Sequence, residues 1–167
     1  MLERIWNGWR ASYVGSAGEA VDGATGSVFT QILNSGLDDT ETNIVHRGEH
    51  CFAVLNAFPY GTGHVLVLPY REVAELESLT AEETAELWPM VTDAVRAIKR
   101  AYSPEGINVG INLGRPAGGS VSEHLHVHVV PRWTGDANFM TAVANTRTLP
   151  EALVDTAAKI RAAWSGQ

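Results

Sequence analysis

Apolar and polar positions alternate most sharply over His124-Leu125-His126-Val127-His128-Val129-Val130. A period of two marks a strand with one buried face. Leu125, Val127 and Val129 then point into a core, while His124, His126 and His128 stand in a row on the opposite face. Residues 44–47, 51–56, 64–68 and 107–113 read as four further strands. Gly48, the segment Pro59-Tyr60-Gly61-Thr62-Gly63 and the segment Ser103-Pro104-Glu105-Gly106 supply turns between them.

Helical spacing governs the rest. Thr80-Ala81-Glu82-Glu83 has the form of a capping box, and Leu87, Val91, Ala94, Val95, Ile98 and Tyr102 line one face of a long helix ending near residue 102. Pro89 lies inside it and predicts a kink or a break. Leu2, Trp6, Trp9 and Tyr13 predict a short helix over 1–13, and Leu153, Ala157, Ile160 and Trp164 a C-terminal helix over 148–164 that Pro150 starts. Residues 14–43 read as loop-rich apart from a helical turn at 28–33, and 114–119 as the loop into the histidine strand. Strands gathered around one long helix predict an α+β fold with an antiparallel sheet. No repeat or linker divides residues 1–167, so they read as a single domain with its core over 44–140.

Composition narrows the class. A chain of 167 residues, 45% hydrophobic, can bury a proper core. No apolar run reaches the ~20 residues of a membrane span, and Trp, Asn, Gly and Arg interrupt the N-terminus where a signal peptide would be apolar. The one cysteine, Cys51, allows no internal disulfide, suits a cytoplasmic location and reads as a small core residue. A net charge of −7 argues against general nucleic-acid binding. A nucleotide remains open, since local amides and a few side chains can hold its phosphates.

Three chemistries compete for the histidine row, which takes half of the chain's 6 histidines. It is a solvated strand face, a metal site, or a nucleophilic ring with a helper on each side. Same-face positions lie roughly 6.5–7 Å apart, which puts His124 about 13 Å from His128. A metal–nitrogen bond is about 2 Å, so one ion reaches two adjacent rings, hardly three, and needs further ligands.

The chain resembles the histidine-triad (HIT) family of nucleotide hydrolases and transferases, whose signature is three histidines alternating with apolar residues. Leu2-Glu3-Arg4-Ile5-Trp6-Asn7-Gly8-Trp9-Arg10 is similar to the opening of many bacterial members. Phe52-Ala53-Val54-Leu55-Asn56 through Pro59, Gly63-His64-Val65-Leu66-Val67 and Pro69 resembles the family's hairpin. Val129-Val130-Pro131-Arg132-Trp133 with Gly135-Asp136-Ala137-Asn138-Phe139 resembles the actinobacterial branch, which contains diadenosine tetraphosphate phosphorylases.

That resemblance implies a five-stranded antiparallel sheet with one long helix and a C-terminal helix, in a homodimer or dimer of dimers with a continuous ten-stranded sheet. It puts the nucleophile on His126, its second ring nitrogen donating to a backbone carbonyl of the motif strand. His124 buttresses this arrangement, and His128 bonds phosphate or bridging oxygen and supplies a proton. The His126 ring is expected to face a solvent-filled pocket. The resemblance places Asn112, Gly119 and Ser120 near phosphate, with Gly118-Gly119-Ser120 as a small anion nest, and Asn56 near ribose. Trp133 stacks a base, closes the pocket, or simply packs. Arg115 and Arg132 are candidate positive charges; His64 reads as structural, and His46 and His50 as surface or hairpin positions.

Two departures matter. Many bacterial relatives hold structural zinc through Cys-x-Phe-Cys-x-Ile, where this chain has Ser27-Val28-Phe29-Thr30-Gln31-Ile32. With both thiols absent, no metal is expected. One residue is inserted before the triad, around Val121, so Ser120 and Ser122 compete for phosphate and Ser120 is favoured. The leading expectation is a nucleotidyltransferase that splits diadenosine tetraphosphate through an adenylylated His126, with inorganic phosphate as acceptor and ADP and ATP as products. The alternatives are a hydrolase of dinucleoside polyphosphates or AMP-amidates with water as acceptor, and a nucleotide-binding regulator. No tightly bound cofactor is expected, and Mg2+ enters only with the substrate.

Overall fold

The structure is a computed structural model that describes residues 26–118, 121–136 and 151–165. The helix expected over 1–13, the adjoining loop up to residue 25 and Pro150 lie outside the described residues. The strands are β1 (Ile44–Arg47), β2 (Cys51–Leu55), β3 (Val65–Pro69), β4 (Gly106–Ile111) and β5 (Val127–Arg132). They form one sheet in the order β1-β2-β3-β5-β4, every pairing antiparallel. β2 and β3 are buried throughout, which explains why both read as nearly continuous apolar runs. Both of their faces are covered, so neither strand has a wet side to alternate with.

Alternate residues of each strand serve two separate cores. Ala53, Leu55, Val65, Val67, Leu125, Val127 and Val129 pack under helices, while Phe52, Val54, Leu66 and Leu68 form a smaller cluster with Phe29 and Ile44 on the other face. Register aligns Val54, Leu66, His128 and Gly110 in one row across that second face. The triad therefore shares a face with the smaller cluster, away from the long helix.

That long helix, α3 (Ala81–Tyr102), starts at the expected capping box, with Thr80 accepting from the Glu83 N–H and the Glu83 carboxylate accepting from the Thr80 N–H. Glu83 is 6% exposed, yet Arg71 grips its carboxylate through two N–H donors at 3.0 and 2.7 Å. This pairing first of all holds the Glu83 carboxyl below its usual range. Pro89 does not break α3, which runs unbroken for 22 residues. The proline lies on the exposed side, where the carbonyl it deprives of a partner meets water.

Residues 26–43 hold the helical turn expected over 28–33 and are otherwise less loop-like than expected. They contain α1 (Val28–Asn34), capped by Ser27, and the short α2 (Asp39–Thr42), with its own capping box from Asp38 and Glu41. Polar caps of this kind look like loop composition in a sequence. The C-terminal helix α4 (Leu153–Ser165) packs on β1, where Trp164 stacks on His46 with ring centroids 4.7 Å apart. His46 is thus half-buried under α4 within the β1–β2 hairpin, and His50 lies in the connection of that hairpin, both hairpin positions as expected.

The histidine strand is shorter than the alternation predicts. β5 begins at Val127, so His124 and His126 precede the ladder and only His128 lies in it. The alternation of facing survives, because Leu125 still enters the helix-side core and its N–H donates to the Val73 carbonyl at 2.7 Å.

Candidate active site

The three imidazoles are buried, at 0% exposure for His124, 7% for His126 and 8% for His128. The His126 ring is largely covered rather than open to solvent. Phe29 of α1 covers it at 5.3 Å between ring centroids and meets His124 edge-on at 5.5 Å, and the His126 and His128 rings are 4.9 Å apart. Burial disfavours the charged imidazolium and pushes all three pKa values below 6.5, His128 to about 4. The site consequently works with neutral rings at neutral pH.

Each ring's proton is placed by its partners. His126 Nδ1 lies 2.8 Å from the His124 carbonyl. A carbonyl only accepts, so Nδ1 carries the hydrogen and Nε2 keeps a free lone pair. This is the carbonyl contact that the resemblance implies. His124 is engaged at both nitrogens, with Nε2 donating to the Pro69 carbonyl at 2.9 Å and Nδ1 lying 2.7 Å from Ser27 Oγ.

His128 is oriented by a residue that sequence reasoning left as structural. The Tyr60 N–H donates to His64 Nδ1 at 3.0 Å, which obliges His64 to carry its hydrogen on Nε2. His64 Nε2 donates in turn to His128 Nδ1 at 3.0 Å. Neutral His128 then holds its hydrogen on Nε2, 3.3 Å from the Asn112 amide, whose oxygen accepts it once the amide turns over. Tyr60 stacks over His128 at 5.5 Å and 18° and is itself 48% exposed, forming one wall of the site. Gly63 makes this placement possible: its φ is +81° and a Cβ there would sit 3.2 Å from Pro131.

Of the expected binding residues, the structure brings Asn112 to His128, and Gly118 passes it so closely that a Cβ would lie 3.7 Å from its Nδ2. Gly119 and Ser120 lie outside the described residues. Asn56 Oδ1 accepts from the Phe58 N–H at 2.9 Å, a turn-forming bond, while its Nδ2 lies 3.4 Å from His64 Nδ1. Trp133 is not brought to His126. It follows the far end of β5 and packs edge-on to Tyr102, ring centroids 6.4 Å apart. Arg132 is also remote, bonded to Asp136 and Asn108, and Arg115 is exposed in a one-turn 3-10 helix.

Sequence reasoning missed His64, Tyr60 and the α1 residues as parts of the site. A lone polar histidine leading the apolar run of β3 was the available signal for His64. Ser27 and Thr30, standing where relatives carry thiols, are tied to Glu72, whose carboxylate accepts from the Thr30 hydroxyl at 2.6 Å and the Ser27 N–H at 2.7 Å. These two bonds hold the Glu72 carboxyl below its usual range. Among the described residues no group of three or more His, Cys, Asp or Glu side chains could hold a metal ion, and no helix is long and apolar enough to cross a membrane.

The HIT domain model matches residues 38–135. The chain is 45% identical over 170 residues to an AP-4-A phosphorylase of Mycobacterium tuberculosis, covering 99% of this chain and 86% of that protein. It is 36% identical over 95 residues to an asymmetrical bis(5'-nucleosyl)-tetraphosphatase of Schizosaccharomyces pombe, covering 57% of this chain and 52% of that protein. Among solved structures, a HIT-like protein of Bartonella henselae superimposes with a TM-score of 0.68 at 26% identity, over 84% of this chain and 97% of that one.

Proposed function

The chain belongs to the HIT domain family, and from that premise we propose that it is a nucleotidyltransferase that cleaves diadenosine tetraphosphate with inorganic phosphate as acceptor. The observation that carries this reading is the His126 ring, whose Nδ1–H is committed to the His124 carbonyl so that Nε2 is bare. A buried neutral imidazole with one fixed free lone pair is a nucleophile ready at neutral pH.

His126 Nε2 attacks the α-phosphorus of one adenylate. A nitrogen–phosphorus bond forms, the bond to the bridging oxygen breaks, and ATP leaves with the electron pair. His128 Nε2–H, set by the donation from His64, passes from the Asn112 amide to the departing or non-bridging oxygen and stabilises its charge. Phosphate then attacks the same phosphorus and displaces His126, giving ADP. Such transfer depends mainly on positioning and charge stabilisation. Asn112 is the described donor at hand; Gly119 and Ser120, which the resemblance puts near phosphate, lie outside the described residues. The nucleophile is a side chain, so no resident cofactor is needed, and Mg2+ comes bound to the polyphosphate.

The sheet edge supports a dimer. β4 ends the sheet with Val109 45% exposed, and Leu113 beyond it is 44% exposed. An open edge beside apolar side chains invites pairing with a second copy. Light scattering at micromolar concentration should give twice the chain mass or four times it.

The deciding experiment incubates the protein with diadenosine tetraphosphate, with and without phosphate, and separates the products. ADP that appears only with phosphate supports the proposal. AMP formed without phosphate overturns the acceptor and points to a hydrolase, the activity named for the fission-yeast relative.

A further inference from the structure

Three side chains outside the triad are joined to its first histidine and have no part in the reaction above. Ser27 precedes α1 and is 2% exposed. Its Oγ lies 2.7 Å from His124 Nδ1 and 3.2 Å from Thr30 Oγ1. The Thr30 hydroxyl is spent on Glu72 Oε2 at 2.6 Å, and the Ser27 N–H goes to the same oxygen. On the far side of the ring, Nε2 faces the Pro69 carbonyl. A carbonyl cannot donate, so His124 carries its hydrogen on Nε2 and its Nδ1 must accept. The donor is the Ser27 hydroxyl, at the shortest of its three contacts, the third being the cap bond it accepts from the Thr30 N–H.

We infer that Ser27 is a positioning residue for the reaction: its hydroxyl holds His124 as the Nε2–H tautomer and so keeps the His124 carbonyl aimed at His126 Nδ1. The inference rests on His126 being the nucleophile, as proposed above. His124 has no exposed surface, and its ring and its carbonyl belong to one short segment ahead of β5. With Ser27 silent, the buried Nδ1 has no donor. The ring then changes tautomer, giving up the Pro69 bond, or rotates and takes its backbone with it. Either way the carbonyl leaves His126 Nδ1, and the hydrogen of His126 is free to settle on Nε2, the attacking nitrogen. Glu72 acts one step further back: it takes the Ser27 N–H directly, so Ser27 keeps its place without the Thr30 hydroxyl.

The test separates the hydroxyl from the helix cap that Ser27 also provides. Ser27→Gly removes the donor and keeps a serviceable cap, since glycine is tolerated at that position far better than alanine. Thr30→Val removes one of the two bonds to Glu72 and leaves the Ser27 N–H bond and the Ser27 hydroxyl in place. Imidazole nitrogen-15 spectra of the substrate-free protein report the tautomers, and steady-state kinetics with diadenosine tetraphosphate report kcat and KM separately. The expected spectrum of the unmodified protein has hydrogen on Nε2 of His124 and on Nδ1 of His126. Ser27→Gly should mix the tautomers at His126 and lower kcat at least about tenfold with KM within about twofold, and Thr30→Val should leave both constants within about twofold. Unchanged tautomers and kcat in Ser27→Gly overturn the inference, as does an equal kcat loss in Thr30→Val, which marks a purely structural clasp. Should Ser27→Gly fail to fold, the unmodified spectrum decides, because hydrogen on His124 Nδ1 contradicts the inference and hydrogen on Nε2 sustains it. Inactivity of the unmodified protein toward diadenosine tetraphosphate would instead sink the proposed substrate and leave the tautomer result standing.

Discussion

His64 donates from Nε2 to His128 Nδ1 at 3.0 Å, joining the β2–β3 connection to the third histidine of the triad across 64 positions of sequence. Because the Tyr60 N–H occupies the other nitrogen of His64, this bond has one direction only. It makes His128 a donor toward the substrate. His64→Leu should therefore lower kcat with diadenosine tetraphosphate by about 10²-fold, the scale of losing a positioned proton donor. The loss should shrink with an adenylate ester whose leaving group needs no proton, and equal losses with both substrates would count against the donor role.

His126→Asn should abolish turnover, by about 10⁴-fold or more, because nothing else in the described site offers a free lone pair at that place. Intact-mass measurement after rapid quench should find one AMP bound to the unmodified protein and none on the variant. An asparagine is chosen over alanine because His126 is packed against Phe29, and an empty space there would blur loss of chemistry with loss of structure.

The pH dependence follows from burial. Desolvation lowers the His126 pKa below 6.5, so the bare nucleophile persists into mildly acidic solution. The acid limb of kcat/KM should fall below pH 6.5, and a limb above it would contradict a desolvated nucleophile.

The same shifts predict a stability profile. In the unfolded chain these histidines take up protons near pH 6.5, while in the folded protein His128 resists until about pH 4. Between those values the unfolded state binds more protons, so stability is fully present above pH 6.5 and is lost as pH falls toward 4. Tm measured from pH 7 to pH 4 should drop, and His128→Asn should flatten that drop. An identical slope in the variant would refute the assignment.

Phe29 anchors α1 in the smaller core and covers two triad rings at once. Phe29→Ala should cost about 3 kcal/mol or more in urea unfolding, the usual penalty for emptying an aromatic core position. Activity should fall with it, since His124 and His126 lose their common wall. Full stability in the variant would show that α1 is not docked as described.

Much of this protein is written in local pattern. The capping box at Thr80, the apolar stripe of α3 and the five strands follow from periods of 3.6 and 2 that backbone geometry imposes on any chain, and the facing of His124, His126 and His128 follows from the same period. Other features have no local origin. β5 could begin at Val127 only because β3 and β4 pair with it from there onward. The polar stretch around α2 reads as loop in the sequence, and only the folded chain joins Asp38 and Glu41 into its capping box. The protons were decided last of all: Ser27 and Pro69, 97 and 55 positions away, place the hydrogen of His124, and Tyr60 and His64 place that of His128, while the His124 carbonyl two residues away places that of His126. A ring's chemistry depends on the donors and acceptors that folding carries to it, and no spacing along a chain encodes them.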